Sequence, residues 1–396
     1  MSINVTGVWV HWDDLNHVSS WNGIELVRDE WTNDDVMARW NADSFVYLHG
    51  GNDIGRGRDG DDTFYDNAAL NGRPVTINGV TYYPPGSGSS GNDTIYGGNG
   101  NDTIYGGDGI NVYDGQSGTD TVDYANATQA ISVTGTGTGQ AQVLGFGSST
   151  LNSIEWINGS SFADTFQGSD AVDRFRGGEG NDTLRGGGGS DELVGGAGDD
   201  LIVGGAGADS IVGEAGIDTA SYLMSSAGIK INLFAGTADG GDAKGDKLSG
   251  IENIQGSHYD DIIIGDNEDN VLSGYAGNDV IDGGLGNDTI FGSDGNDTMS
   301  GGKGSDVFLF AAEVGFEAHG PDHDVIKDFD ANAIGGQDLI DLSALGITSS
   351  NFAQMVKITD LGADTLVTIG EMQDILLVGV SGIGENQITQ ADFILA

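Results

Sequence analysis

Residues 97–105 read GGNGNDTIY, one copy of a nine-residue unit that decides the fold. Similar units follow one another without a gap in three blocks, 88–123, 159–221 and 256–309, and number seventeen in all. Gly is favoured at positions one, two and four, Asp at position six and an apolar residue at position eight. A degenerate pair of units, 48–65, precedes the blocks. Repetition at a fixed short period indicates an architecture of stacked repeats.

The spacing of apolar residues predicts the path of the chain. Position eight is apolar from Ile95 to Phe308, so one side chain is buried every nine residues, beside a turn rich in Gly. Gly supplies positive φ and permits close backbone approach in such a turn. A short strand and a turn then form each unit, two units close one coil, and strands of successive coils stack about 4.8 Å apart. The fold class is therefore all-β, a flattened right-handed parallel β-roll, or β-solenoid, with a thin apolar core.

The position-six carboxylates would form one column along each edge of this roll. Asp stands at position six in every unit except two, which have Asn111 and Asn270 instead. Unneutralised columns of this kind repel, whereas Ca²⁺ accepts 6–8 flexible oxygen ligands and suits Asp and turn carbonyls better than Mg²⁺ does. With one ion between units n and n+2 on the same edge, the blocks would hold on the order of eleven Ca²⁺ ions.

The predicted metal ligands are the Asp residues at position six and the Gly residues at positions two and four of the turns. They are Asp93, Gly98, Gly100, Asp102, Gly107, Gly109, Asp120, Asp164, Asp173, Gly178, Gly180, Asp182, Gly187, Gly189, Asp191, Gly196, Gly198, Asp200, Gly205, Gly207, Asp209, Asp218, Asp261, Asp279, Gly284, Gly286, Asp288, Gly295, Asp297, Gly302, Gly304 and Asp306.

Composition supports this interpretation and excludes several others. The 396 residues include 70 Gly, 4 Pro, no Cys, and 61 acidic against 14 basic side chains, for a net charge of −47. Without a basic footprint, nucleic acid is not expected as a partner. The absence of Cys excludes disulfides, Cys-based zinc sites and thiol catalysis. No run of 18 apolar residues predicts a membrane span, and the first residues do not resemble a conventional signal peptide.

A second, longer period divides the chain. The sequence DTVDYA at 120–125 returns as DTASYL at 218–223, 98 residues later, and a non-repetitive insert follows each copy. We interpret the inserts, 66–87, 124–158 and 222–255, as wider coils of the same stack, the first with a hairpin at 75–82 around an Asn-Gly turn. The predicted domains are a Trp-rich N-terminal cap at 1–47, the roll at 48–309 and a β-rich C-terminal domain at 310–396.

Over residues 48–396 the sequence resembles the RTX (repeats-in-toxin, haemolysin-type) calcium-binding family. DVIKDF at 324–329 and DLIDLS at 338–343 are similar to the C-terminal domain of serralysin-type proteases and to the repeat modules of alginate epimerases. The resemblance implies Ca²⁺ held by turn carbonyls and the Asp column. It also implies a secreted, extracellular bacterial protein exported by a type I secretion apparatus, with an uncleaved signal near ADFILA at 391–396.

No recognisable catalytic motif accompanies the repeats. The sequence contains no HExxH, GxSxG or P-loop motif, so we expect a protein that is not an enzyme. HWDD at 11–14 with His17, and HGPDHD at 319–324, could form metal or acid–base sites. A polar loop beside the cap and a solvated or additional Ca²⁺-binding loop are the simpler interpretations of these two clusters.

Two classes of function remain. Five of the six Trp residues lie within the first 40 residues, where they would either cap the roll or form an aromatic platform for a glycan or another cell-surface component. The favoured hypothesis is a secreted protein that folds on binding extracellular Ca²⁺ and has a structural, surface or matrix-binding role. The alternative is a carbohydrate-active enzyme or glycan-binding module with its ligand site in residues 1–87.

Overall fold

The structure is a computed structural model that describes residues 54–57, 61–65, 91–137, 140–311, 322–331, 336–370, 373–380 and 387–396, together with the backbone of the strands at 2–5, 8–11, 17–21, 24–28, 35–37, 44–47, 75–77 and 80–82. They belong to two compact units, Met1–Asp200 and Leu201–Ala396. Helix within the described residues is confined to single turns, at Gly241–Ala243, Ser343–Leu345, Phe352–Met355 and Gln390–Asp392. In the part of the chain that the structure describes, no helix is long and apolar enough to cross a membrane.

The first unit contains two long sheets and two separate hairpins. One sheet contains His17–Trp21, Ile24–Arg28, Ser44–Tyr47, Thr63–Tyr65, Thr103–Tyr105, Thr121–Asp123, Trp156–Asn158, Arg174–Glu179 and Glu192–Ala197. The other contains Asp35–Met37, Ile54–Arg56, Thr94–Asn99, Ile110–Ser117, Ser132–Gly137, Gln140–Gly145, Gly147–Asn152, Thr165–Gln167 and Thr183–Gly189. The hairpins pair Ser2–Val5 with Val8–His11 and Val75–Ile77 with Val80–Tyr82.

The second unit also contains two sheets. One contains Leu201–Gly207, Thr219–Ser221, Asn253–Gln255, Val271–Ser273, Thr289–Phe291, Val307–Leu309, Leu339–Asp341 and Phe393–Ile394. The other contains Ser210–Ala215, Lys230–Asn232, Thr237–Asp239, Lys247–Ser249, Ile262–Ile264, Val280–Leu285, Thr298–Lys303, Asp322–Ile326, Val356–Asp360, Thr365–Ile369 and Gln373–Leu377.

Consecutive nonapeptides place their strands alternately in the two sheets, and strands two units apart pair in parallel. Ile104 is paired with Val122, and Ile281 is paired with Met299, each eighteen residues further on. This register keeps every position in line with the same position of the next coil, because the side-chain alternation along a strand is fixed. The prediction of an all-β parallel roll with two units in each coil is confirmed.

The core consists of the position-eight side chains. All seventeen are buried, and between the two sheets Phe166 and Phe175 of successive units bring their ring centroids to 5.2 Å. The buried residues are Ile95, Ile104, Tyr113, Val122, Phe166, Phe175, Leu184, Leu193, Ile202, Ile211, Ala220, Ile263, Leu272, Ile281, Ile290, Met299 and Phe308. One apolar layer for each coil is therefore what holds the sheets together, as the spacing predicts.

The two later inserts are more than wider coils, and the interpretation given above was wrong in this respect. In the first, Gln140–Gly145 lies antiparallel between Ser132–Gly137 and Gly147–Asn152, and the two outer strands pair in parallel with neighbouring coils. In the second, Thr237–Asp239 occupies the same place. Each insert thus adds a reversed strand to a parallel sheet, which a coil with a wider loop could not do.

The ladders also extend beyond the repeats. Ile24–Arg28 pairs in parallel with Ser44–Tyr47, and that strand pairs with Thr63–Tyr65 of the degenerate units. In the second unit Gln373–Leu377 pairs in parallel with Asp322–Ile326. The antiparallel pairing of the two strands between 75 and 82 agrees with the predicted hairpin, while its Asn-Gly turn lies outside the described residues.

Candidate calcium sites

Within each compact unit, the position-six carboxylates form columns through main-chain hydrogen bonds. Where two units follow in the same block and the same compact unit, the N–H of Asp donates to Oδ1 of the residue two units later, as from Asp102 to Asp120 at 2.7 Å and from Asp279 to Asp297 at 2.8 Å. The same bond, at 2.7–2.9 Å, joins pairs 93–111, 164–182, 173–191, 182–200, 261–279, 270–288 and 288–306. Within each compact unit the structure therefore brings neighbouring predicted Asp ligands together, and all of the predicted Asp ligands are buried.

The second oxygen of these carboxylates has a different environment. In the described part of the chain, Oδ2 is buried and has no hydrogen-bond partner at these position-six residues: Asp102, Asp120, Asp182, Asp279, Asp288 and Asp297. A buried carboxylate oxygen without a partner is costly unless a cation neutralises it. These oxygens are the strongest indication that an ion belongs at the turns.

Glycine at position one leaves the space beside this oxygen. A Cβ on Gly177 would lie 2.1 Å from Oδ2 of Asp182 and 2.6 Å from the carbonyl oxygen of Gly195, and Gly283 stands in the same relation to Asp288 and Gly301. A carboxylate oxygen and a main-chain carbonyl thus converge on a cradle that any side chain would fill. Oxygen donors of both kinds are the ligands that Ca²⁺ takes in proteins.

The predicted glycines at positions two and four form the turns themselves. Gly98 and Gly100 have φ of 120° and 133°, a region that L side chains rarely adopt. Successive turns also stack closely, since a Cβ on Gly118 would lie 1.6 Å from the carbonyl oxygen of Gly100. Gly98, Gly100 and Gly118 are therefore required for the shape and stacking of their turns.

Burial changes the acid–base behaviour of the columns. Loss of hydration raises the pKa of Asp297 to about 8 and that of Asp279 to about 7, and repulsion from neighbouring carboxylates adds to this increase. The same causes raise the pKa of Asp102 to about 7. Without a cation the columns therefore favour protonated carboxyl groups, and a bound divalent ion would favour the charged form instead.

Residues outside the nonapeptides continue each column, and the sequence analysis missed them. Oε2 of Glu155 accepts the N–H of Asp120 at 2.7 Å, and Oε2 of Glu252 accepts that of Asp218 at 2.8 Å. Asp246, Asp324 and Asp338 accept the same bond at 2.8–3.0 Å from Asp209, Asp297 and Asp306. The sequence did contain a signal for two of them, because Glu155 and Glu252 are the last residues of the similar sequences LNSIE and LSGIE.

The two His clusters give no further metal centre in the described residues. Nδ1 of the exposed His323 lies 3.3 Å from Oδ2 of the half-buried Asp374, while His319 and the side chains of residues 11–17 lie outside the described residues. No group of three or more His, Cys, Asp or Glu side chains gathers to hold a metal anywhere in the described part of the chain. Ions at the turns would therefore take main-chain oxygens besides carboxylates.

These features define a calcium-binding parallel β-roll. The family model described as the RTX calcium-binding nonapeptide repeat (4 copies) matches residues 44–69, 87–122, 151–184, 185–220, 248–281, 255–290 and 273–308. The chain is therefore an RTX calcium-binding repeat protein over these residues, and it binds multiple Ca²⁺ ions. None of the curated proteins compared with the chain matches it.

Several solved structures are similar to parts of the chain. The AlgE6R3 subunit of the Azotobacter vinelandii mannuronan C5-epimerase is 27% identical over 35% of this chain and 79% of that one, with a TM-score of 0.26. The extracellular lipase LipA of Serratia marcescens is 19% identical over 62% of this chain and 45% of the lipase chain, with a TM-score of 0.17. A Ca²⁺-dependent β-helical antifreeze protein from an Antarctic bacterium is 17% identical over 87% of this chain and 90% of the antifreeze protein, with a TM-score of 0.21. The chain thus spans less than half of the lipase.

Proposed function

We propose that this chain is a secreted calcium-binding protein that folds when it meets extracellular Ca²⁺ and then serves a structural, surface or matrix-binding role without catalysis. The observation that carries the proposal is the set of buried Oδ2 atoms without a hydrogen-bond partner at Asp102, Asp120, Asp182, Asp279, Asp288 and Asp297. A roll with such columns is disfavoured at neutral pH until cations neutralise them. Ion binding then contributes directly to the free energy of folding.

A calcium titration of the metal-free protein tests this proposal. We expect far-ultraviolet circular dichroism to show little ordered β-structure in excess chelator at pH 7.5 and a cooperative gain as Ca²⁺ is added. Mg²⁺ at the same concentration should restore far less, because its small octahedral shell dehydrates reluctantly. A β-signal that is unchanged in excess chelator would show that the columns do not need the ion.

The proposed route out of the cell is type I secretion, with the signal in the last residues. What supports it is the resemblance of the C-terminal part to serralysin-type domains and the sequence ADFILA at 391–396. Removing residues 391–396 should retain the protein inside a host that carries a type I secretion apparatus. Deletion of the same length at the N-terminus is the matched control, and secretion that depended on that end would contradict the proposal.

The proposed partner of the N-terminal region is a glycan or another cell-surface component, with residues 1–47 also acting as the cap. The concentration of Trp in the first 40 residues supports it, since aromatic rings offer large, rigid contact surfaces. A glycan array probed with the calcium-loaded protein tests this, with Trp12→Ala and Trp31→Ala as variants. Binding that is equal in wild type and both variants would exclude the Trp cluster as the site.

A further inference from the structure

Four turns differ from the others at position four, where Gly is replaced by Phe162, Ala171, Tyr259 or Glu268. They belong to units 159–167, 168–176, 256–264 and 265–273, which are the first two units after each of the later inserts. We call these the closed turns and call turns with Gly at position four the open turns. The two strands that follow each pair of closed turns lie in different sheets of the same compact unit, as Thr165–Gln167 and Arg174–Glu179 do.

In three closed turns a serine at position two satisfies the carboxylate. The N–H of Ser257 donates to Oδ2 of Asp261 at 2.6 Å, and its Oγ donates to Oδ1 at 2.7 Å. Ser160 makes the same two bonds to Asp164 at 2.6 and 2.9 Å. Ser169 donates through its N–H at 2.7 Å and its Oγ at 3.0 Å to Oδ2 of Asp173. The oxygen that lacks a partner in the open turns of Asp102, Asp182 and Asp279 thus accepts protein donors here.

In the fourth closed turn the side chains at positions two and six also bind each other, but the carboxylate is at position two and its partner is an amide at position six. Position two is Asp266 and position six is Asn270. The N–H of Asp266 donates to Oδ1 of Asn270 at 2.9 Å, while Nδ2 of Asn270 donates to Oδ1 of Asp266 at 3.3 Å and to the carbonyl of Glu252 at 2.9 Å. An amide that donates one hydrogen bond within the turn and another to the carbonyl of Glu252 is a poor neighbour for a cation.

The unit 292–300 shows that position four decides between the two forms. It also begins Gly-Ser, but it has Gly295 at position four, with φ of 142°. Ser293 then adopts φ of 74°, and both its Oγ and Oδ2 of Asp297 are buried without a partner. Only Gly adopts the conformation at position four readily. In turns with Ser at position two and no Gly at position four, the N–H of that Ser donates to the carboxylate at position six.

We infer that the four closed turns hold no calcium, because their own N–H and O–H donors occupy the place of the ion. A cation there would face the positive ends of these donors and would have to break hydrogen bonds at 2.6–2.7 Å. Calcium is then confined to the open turns, and fewer ions bind than the number of units suggests. This inference rests on the proposed calcium-dependent fold and specifies which turns carry it.

The ion count of two matched variants tests the inference. Asp261 and Asp279 occupy position six of a closed and an open turn in the same column, and Asn270 shows that Asn is accepted at that position. Bound calcium per chain is measured by equilibrium dialysis at saturating calcium. We expect Asp261→Asn to bind as many ions as wild type and Asp279→Asn to bind at least one fewer. Equal losses in the two variants would overturn the inference.

A gain-of-site variant tests the inference independently of any loss of folding. Ser257→Gly combined with Tyr259→Gly converts GSHYDD to GGHGDD, an open turn, and should add an ion to the count. Ser293→Gly, in a turn that is already open, is the matched control and should leave the count unchanged. No gain in the double variant would count against the inference, whereas a wild-type chain that binds no calcium would overturn the proposed function itself.

Discussion

Glu155 accepts the N–H of Asp120 at 2.7 Å, taking the place that Asp120 itself holds for Asp102. A column of aspartates therefore crosses a 35-residue interval of sequence without a gap, since the insert between the two residues is folded out as antiparallel strands. Glu252 has the same relation to Asp218 at the second insert. The longer side chain of Glu supplies the acceptor where the nonapeptide register is broken.

Removing this acceptor should weaken the roll. Glu155→Ala leaves the N–H of Asp120 without its partner, which typically costs about 1–3 kcal/mol for a buried group. Glu155→Gln retains an acceptor oxygen and should lose much less. Chemical denaturation of the calcium-saturated proteins measures both. Equal stability of Glu155→Ala and wild type would show that the column does not depend on this bond.

The cradle beside Oδ2 can be filled without changing any carboxylate. In Gly177→Ala the new Cβ would lie 2.1 Å from Oδ2 of Asp182, so it would occupy the space in which an ion would approach that oxygen. We expect a higher calcium midpoint by isothermal titration calorimetry. Gly188→Ala is the matched control, because its Cβ would come no closer than 3.4 Å to Asp170. Similar midpoints for the two variants would place the ion elsewhere.

The period of nine predicted the fold and the columns because both depend on residues that recur in register. Ile104, Asp102 and Gly98 could be assigned to core, column and turn from spacing alone. The inserts lack that period, so neither their reversed strands nor the roles of Glu155 and Asp246 followed from spacing. Three of the aspartates predicted as ligands, Asp164, Asp173 and Asp261, lie in turns that combine Ser at position two with a residue other than Gly at position four.

Deleting residues 1–47 should destabilise the calcium-loaded protein. Ser44–Tyr47 pairs with Thr63–Tyr65, whose central residue Phe64 is fully buried, and the deletion would leave that strand at an open edge. We expect the thermal midpoint to fall by at least about 4 °C, which corresponds to roughly 1–2 kcal/mol in a domain of this size. A truncated chain with an unchanged midpoint would show that these residues do not act as a cap.

The raised pKa values of the columns give the metal-free protein an unusual dependence on pH. In the folded, metal-free roll the pKa of Asp182 is raised to about 7 and that of Asp297 to about 8, chiefly by burial, from an ordinary value of 3.8. The folded state then binds protons more tightly than the unfolded state does. The stability that these groups contribute is fully present below pH 4 and is lost as pH rises through 7 to 8.

Lowering the pH should therefore partly replace calcium. We expect protein freed of metal by dialysis to show more β-structure by circular dichroism at pH 5 than at pH 8. With calcium present the order should reverse, because the ion needs deprotonated carboxylates and competes with protons for them. The calcium midpoint should accordingly rise as pH falls from 8 to 5. A metal-free β-signal that grows with pH would mean that the buried carboxylates are stabilised in their charged form by something other than calcium.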